Sequence, residues 1–270
     1  MERNAWTPDG VSTDRPSPAR MYDYFLGGYH NFEIDRLAAD RAAAIYPDIG
    51  LSMRANRAFL RRAVNFLIDQ GIEQFLDIGS GIPTAGNVHE IVHSHDPNAR
   101  VIYVDIDPVA IQHSRAILQG NPNVAVIQAD AREARQVIEH EEVRRLIDFD
   151  APIGVLLVAV LHFIPDDGEA LNTVRSFREA IPPGSYVAIA HGTIENVPAS
   201  VIEQLAQLYA GTTNPAKARS RDEIAQFFEG LDLVEPGLVY APLWRPEGPE
   251  DLFLDEPERS TSFVGVGHKP

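Results

Sequence analysis

The sequence predicts an α/β fold around a mostly parallel sheet with an antiparallel edge, and three observations predict it. From residue 74 onward, short apolar runs of strand length alternate with helical patterns. Continuous apolar strands separated by helices belong to a parallel sheet covered on both faces. The first run, residues 75–78, carries Asp77 at its end and passes straight into Gly79-Ser80-Gly81. At such a junction an open sheet receives a nucleotide, because the strand end leaves a crevice and the glycines admit close backbone approach. Late in the chain the alternation stops: residues 231–240 and 262–267 carry strand signals with no clear helix between them, as in an edge hairpin.

Composition narrows the setting. A chain of 270 residues, 44% hydrophobic, suits one large α/β domain or two small ones. Thirty-nine acidic residues against 23 Lys plus Arg give a net charge of −16, which disfavours a broad grip on nucleic acid. With no cysteine there are no disulfides, thiolate metal sites or Cys nucleophile. Residues 1–18 are polar and rich in Pro, Asp and Thr, and read as a disordered leader instead of a signal peptide. The longest apolar run, residues 152–163, is far short of the roughly 20 residues that cross a bilayer. A cytoplasmic protein without membrane contact is the expectation; the oligomeric state is not legible.

Two helical stretches precede the glycine turn. In the second, residues 53–70, Ala55, Phe59, Leu60, Ala63, Val64, Phe66 and Leu67 recur at three- and four-residue spacing among Arg54, Arg57, Arg61 and Arg62. Gly71 follows as a helix C-cap. After the turn come a helix near residues 87–95 and a β-branched strand, residues 100–104, ending on Asp105. Asp107 then caps a helix with Pro108 at its first position, and Gly120-Asn121-Pro122 closes it. Residues 124–128 form a third strand leading to Asp130, residues 154–161 a fourth and residues 186–190 a fifth. Helices over residues 198–209 and 222–228 precede the late strands.

Asp77, Asp105 and Asp130 therefore close the first three strands and rim one crevice, since parallel strands end on one side. Singly, each is as well explained as a cap for the next helix. A carboxylate ending the second strand suits a ribose diol, yet the dinucleotide fingerprint wants a third glycine three residues after the second. Thr84 stands there, behind Pro83, and residues 79–87 contain no Arg or Lys for a phosphate.

These residues, with Leu76-Asp77-Ile78-Gly79-Ser80-Gly81 and Ala129-Asp130, resemble the class I S-adenosylmethionine methyltransferases. More narrowly, the chain resembles a mainly actinobacterial family of S-adenosyl methyltransferases once catalogued as a domain of unknown function. That likeness lies in residues 19–28 (ARMYDYFLGG), 31–32 (NF), 56–60 (NRAFL), 74–79 (QFLDIG), 83–84 (PT) and 103–105 (YVD). It implies a Rossmann-like fold with a mostly parallel seven-stranded sheet, an antiparallel edge hairpin and a helical N-terminal cap. Residues 19–71 would be the cap and 72–270 the Rossmann-like domain, one structural unit together.

Carried over by position, Gly79, Gly81 and Thr84 would lie along the methionine end of S-adenosylmethionine, with Asp77 at its ammonium. Asp105 would take the ribose hydroxyls, Ile106 the adenine face, and Asp130 the adenine amine, with Ala129 and Ala131 alongside. Ala159 and Val160 would floor the methionine portion, and the product would be S-adenosylhomocysteine. Such a donor is a sulfonium and an ammonium with a diol and no phosphate, which suits an acidic crevice.

Tyr22 and Tyr29 are expected to face the cofactor from a lid, where aromatic faces stabilise a cation by about 0.5 to 2 kcal/mol, and His30 and Asn31 to meet a small-molecule acceptor. The plainer alternative is a helix ending on Gly27-Gly28 and packing on the sheet. His162 is the expected base that deprotonates an acceptor, with His191 the weaker candidate; either can equally be structural. Residues 198–209 and Trp244-Arg245 are placed to shape acceptor choice. A non-catalytic cofactor sensor shares every cofactor residue. A rival class is a zinc peptidase, because His89-Glu90-Ile91-Val92-His93 satisfies H-E-x-x-H; Asp96 and Ala99 break its extended form.

Overall fold

In the computed structural model, residues 14–82 and 86–270 are described. Five parallel strands, β1 (Gln74–Ile78), β2 (Arg100–Asp105), β3 (Val124–Gln128), β4 (Gly154–Val158) and β5 (Tyr186–Gly192), form the body of the sheet. The antiparallel part comprises β6 (Asp232–Leu233), β7 (Val239–Tyr240) and β8 (Ser262–His268). The order is β3-β2-β1-β4-β5-β8-β6, with β7 also on β8.

Two details differ from the edge hairpin that the sequence predicts. The last strand enters between β5 and the edge, pairing Tyr186 with His268 through Gly192 with Ser262. And β6 and β7 share one edge, pairing with Gly267–His268 and Phe263–Val264 respectively. They are one strand interrupted around Pro236-Gly237, where proline has no N–H to give to a ladder. Eight segments thus occupy seven positions.

Strand order reverses between β1 and β4, so their carboxyl ends open the switch-point crevice. Alternation along β1 sends Leu76 and Ile78 to one hydrophobic layer and Phe75 to the other. The first layer is closed by α6 (Ala134–Glu139), α7 (Glu141–Leu146) and α8 (Asp167–Ala180). The second receives α4 (Val88–His95) and the long α3 (Ile49–Asp69), through Phe59, Leu60, Ala63, Val64 and Leu67. Gly71, at φ +83°, ends α3 as expected. One arginine of its supposedly polar face, Arg62, is instead buried and donates to the carbonyls of Trp244 and Ala241, both at 2.8 Å.

A third cluster lies above the strand ends. It joins Met21 of α1 (Pro18–Phe25), Ala38, Ala39 and Ala42 of α2 (Glu33–Ile45) and Ile49 with Leu205, Leu208 and Tyr209 of α9 (Ala199–Ala210). Small alanines on α2 let these helices approach. Residues 1–13 of the expected leader lie outside the described residues. Its last part is not disordered: Ser17 is buried and donates its backbone N–H to Asp35 at 2.8 Å.

Candidate active site

A cavity of 440 Å³ separates the strand ends from the helical cap, within the range of about 300–1,000 Å³ common for ligand sites. Its floor is set by the turn after β1. Gly79 has φ +73°, and a Cβ there would come within 2.4 Å of Cγ2 of Val160, so only glycine lets the turn pass the end of β4. Gly81 has φ +68°, and among the described residues nothing lies within 4 Å of where a Cβ would stand.

Asp105 holds that turn. Its carboxylate accepts from the Gly81 N–H at 2.7 Å and from the Asp107 N–H at 2.8 Å. Burial pushes its carboxyl up to about 6, against these bonds. Asp77 is pushed up to about 7, again by burial, with Arg57 lowering it and Asp105 raising it further. Both line the cavity, as do Ile106, Ala129, Asp130 and Ala131. Asp130 is already engaged by Arg132, whose guanidinium reaches both carboxylate oxygens and holds the carboxyl below its ordinary value.

The fourth strand ends earlier than its apolar run, at Val158, because Ala159 turns left-handed at φ +63° with its N–H donating to the Ala190 carbonyl at 3.0 Å. A non-glycine residue held there stores strain of order 1–3 kcal/mol, and such strain collects at functional sites. The reversal sends Ala159 and Val160 along the cavity and starts a 3₁₀ turn, Leu161–Phe163, that carries His162 onto its wall. Nδ1 of His162 is buried without a partner, which leaves Nε2 as the nitrogen available to an acceptor. Burial first, then the charge of Arg219, lowers its pKa to about 4, so the ring is neutral at pH 7.

His191 also lines the cavity but has both nitrogens committed. Arg219 can only donate, so its 2.8 Å contact with Nε2 makes that atom an acceptor and puts the proton on Nδ1, which donates to the Gly192 carbonyl at 2.8 Å. Burial holds its pKa well below the ordinary value. With no free lone pair, it is a structural histidine, and the expectation of a second base is corrected.

The amino-terminal segment divides. Tyr22 lines the cavity, its hydroxyl accepting from Asn56 at 2.9 Å and donating to the Met53 carbonyl at 3.2 Å. Tyr29, 92% exposed, and His30 and Asn31 lie off the cavity. Asp23 is the reason: buried in α1, it takes the His30 N–H at 2.9 Å and Nδ2 of Asn31 at 2.8 Å, folding this loop back onto the helix. His30 then meets His113 in a tilted ring contact, 3.8 Å between centroids. Helix α1 itself stops at Phe25, before Gly27-Gly28, and packs chiefly on α2 and α3. Thr84 lies outside the described residues.

Trp244 and Arg245 are not near the cavity either. Trp244 is fully buried between Phe59 and Phe66, and Arg245 stacks on Phe66 at 4.2 Å. The H-E-x-x-H residues have other employment as well. Nδ1 of His89 meets the Tyr103 hydroxyl at 2.7 Å, Nε2 of His93 meets the Ala99 carbonyl at 2.8 Å, and Glu90 accepts the Asn87 N–H at 2.8 Å as a helix cap. That carboxylate sits at the helix N-terminus where a pyrophosphate would need to dock, which disfavours a dinucleotide.

A family model described as S-adenosyl methyltransferase matches residues 4–270. The chain belongs to the S-adenosyl methyltransferase family. It is 41% identical to a crystal structure described as a "putative methyltransferase" from Thermobifida fusca YX, over 98% of this chain and 99% of that one, with a TM-score of 0.91. A DUF574 family protein from Streptomyces avermitilis MA-4680 is 37% identical over 96% of this chain and 99% of that one, with a TM-score of 0.89. A search of curated proteins returned no match.

The protein is thus an S-adenosylmethionine-dependent methyltransferase with a Rossmann-like fold, and the cavity fits that cofactor. Asp77 and Asp105 put two carboxylates on its wall, which suits a cationic donor, and Glu90 caps the start of α4, which disfavours a phosphate there. Sequence reasoning missed several wall residues, among them Arg57, Arg132, Phe163 and Lys217. Arg57 had a signal, since it stands in the family-like segment of residues 56–60. Buried Arg219 had none, because its partners come from the 3₁₀ turn after β4, from β5 and from α8.

Proposed function

We propose that this methyltransferase acts on a small-molecule acceptor, with His162 removing the acceptor's proton. The observation that supports this most is one cavity bounded on one side by the strand ends and on the other by the cap and α9, with His162 on its wall. A cavity of this volume between strand ends and cap limits acceptor size, and a net charge of −16 disfavours nucleic acid.

When bound, S-adenosylmethionine supplies an electrophilic methyl on a sulfonium. The chain's part is to hold Asp77 and Asp105 beside a cation and a diol, to close the cap over the crevice, and to keep His162 neutral. Exclusion of water and a nucleophile held about 3–3.5 Å from the methyl carbon supply most of the rate. Arg57, beside Asp77, offers a positive charge for the amino-acid carboxylate. Calorimetry of S-adenosylmethionine, S-adenosylhomocysteine and NAD on wild type and Asp105→Ala tests the cofactor assignment. Tighter binding of NAD, or an unchanged affinity in the variant, defeats it. Labelled methyl transfer to small compounds tests the acceptor class, and transfer only to protein or nucleic acid would overturn it.

A further inference from the structure

The acceptor half of the cavity is distinct in chemistry from the cofactor half, and α9 shows the difference. Its residues Ile202, Leu205, Ala206 and Tyr209 follow i, i+3, i+4, i+7 spacing, which makes one stripe, and all four line the cavity. Yet no residue of this apolar helix is fully buried. Leu205 and Tyr209 also pack on the cluster of α1 and α2, so the stripe is apolar surface only partly covered by the cap, with the rest of it facing the cavity. Phe163 continues it, with its ring 6.1 Å from that of Tyr209.

Charge on this side is already balanced. Nζ of Lys217 lies 2.6 and 2.8 Å from the two oxygens of Asp167, and Arg132 is shared between Asp130 and Glu169. An anionic acceptor must break one of these pairs to find a partner, and a cationic one must compete with a lysine or arginine for its carboxylate. The polar group placed for chemistry is neutral His162, on a turn fixed by the Lys217 N–H to the His162 carbonyl at 2.8 Å and by Arg219 to the Leu161 carbonyl at 3.2 Å.

We infer that the acceptor is an uncharged, largely apolar molecule bearing a hydroxyl, seated against the Ile202–Tyr209 stripe with that hydroxyl at His162. The inference rests on the methyltransferase reading and deepens it. In the reaction the hydroxyl oxygen forms the new C–O bond to the methyl carbon. The electron pair of the broken C–S bond stays on sulfur, and the hydroxyl proton passes to Nε2 of His162 and then to solvent. Phosphorylated or carboxylated acceptors are excluded by the same wall.

The test uses the full chain loaded with S-adenosylhomocysteine and a panel of one- to three-ring phenols and alcohols, each paired with its sulfonated or carboxylated counterpart. Ligand-observed NMR finds binders and titration ranks them. Neutral members are expected to bind at least about tenfold tighter than their charged counterparts. Ala206→Trp, which fills the stripe, should abolish that binding, and Ile202→Ser should weaken it about fivefold by losing apolar contact, both with S-adenosylhomocysteine affinity unchanged. The best binder, given S-adenosylmethionine, should gain one methyl group. Equal or tighter binding of charged counterparts, no neutral binder, a bound hydroxyl compound that is not methylated, or binding untouched by both variants overturns the inference. Failure of wild type to bind S-adenosylhomocysteine would instead overturn the methyltransferase reading beneath it.

Discussion

Asp77 ends β1 with its carboxyl pushed up to about 7, so in the ligand-free protein it is roughly half protonated at pH 7. A cationic ligand beside it favours the carboxylate, and binding must then expel the proton. If the group is fully ionised in the complex, linkage gives about half a proton released at pH 7 and an affinity that rises about fifty-fold between pH 5 and pH 7 from this residue alone. Asp105, at about 6, contributes a further factor of about ten over the same interval. Asp77→Asn should remove the larger factor. Titration calorimetry with S-adenosylmethionine in two buffers of different ionisation heat counts the protons directly. Stability moves the other way. Because the folded pKa is raised from 3.8, this aspartate favours the folded state at low pH and loses that contribution as pH climbs through about 7. Ligand-free Asp77→Asn should therefore melt higher than wild type at pH 8, by up to about 4 kcal/mol for a shift of this size. An unchanged pH slope in the variant, or a lower melting temperature at pH 8, refutes the reasoning.

The two turn glycines should separate. Gly79→Ala meets both Val160 and the strain of a positive φ and should lower the melting temperature most, whereas Gly81→Ala meets only the strain and should lower it less while also weakening S-adenosylmethionine binding, both read by thermal melts and calorimetry. His162→Gln should lower the rate of labelled methyl transfer by about 10²–10⁴ with cofactor affinity intact. His191→Phe leaves Arg219 short of an acceptor and should appear as a stability loss of about 1–3 kcal/mol in denaturant melts. Arg20→Met strips the buried Asp35 of its cation at 2.8 Å and should cost about 3–5 kcal/mol by the same measurement.

What the sequence made legible is what depends on local pattern. Five parallel strands could be placed within a few residues because buried strands are continuous apolar runs, and the glycine turn could be read because only glycine tolerates its dihedrals. Misreadings came where distant chain decides. Nothing local says that β8 inserts beside β5, since either edge order gives the same alternation of side chains. Arg62 reads as surface from its spacing in α3, and only the carbonyls of residues 241 and 244 make it a core residue. His191 is the last residue but one of β5 and His162 stands just beyond β4, so both read alike from the sequence, yet Arg219, some 28 residues beyond the first, ties up one and not the other. Tyr29 and His30 looked like site residues because they neighbour Tyr22, and Asp23 turns them away.

The cap and the glycine turn on the cavity floor are joined by a continuous chain of polar contacts, and this bears on how the site excludes water. Asp107 accepts from the Ser17 hydroxyl at 2.5 Å and lies 3.6 Å from Arg20, both at the start of the cap. The same aspartate caps α5 (Pro108–Ile117) through the Val109 N–H and gives its own N–H to Asp105, which in turn holds Gly81. Seating of Ser17 and Arg20 and placement of Asp105 are thereby parts of one hydrogen-bonded unit. A cap attached only by apolar contact can slide, because such contact has no direction. One attached by a buried ion pair and directed hydrogen bonds has a single seat. That seat sets Tyr22 on the same cavity wall as Asp77 and Asp105, so the cap and the glycine turn are positioned together.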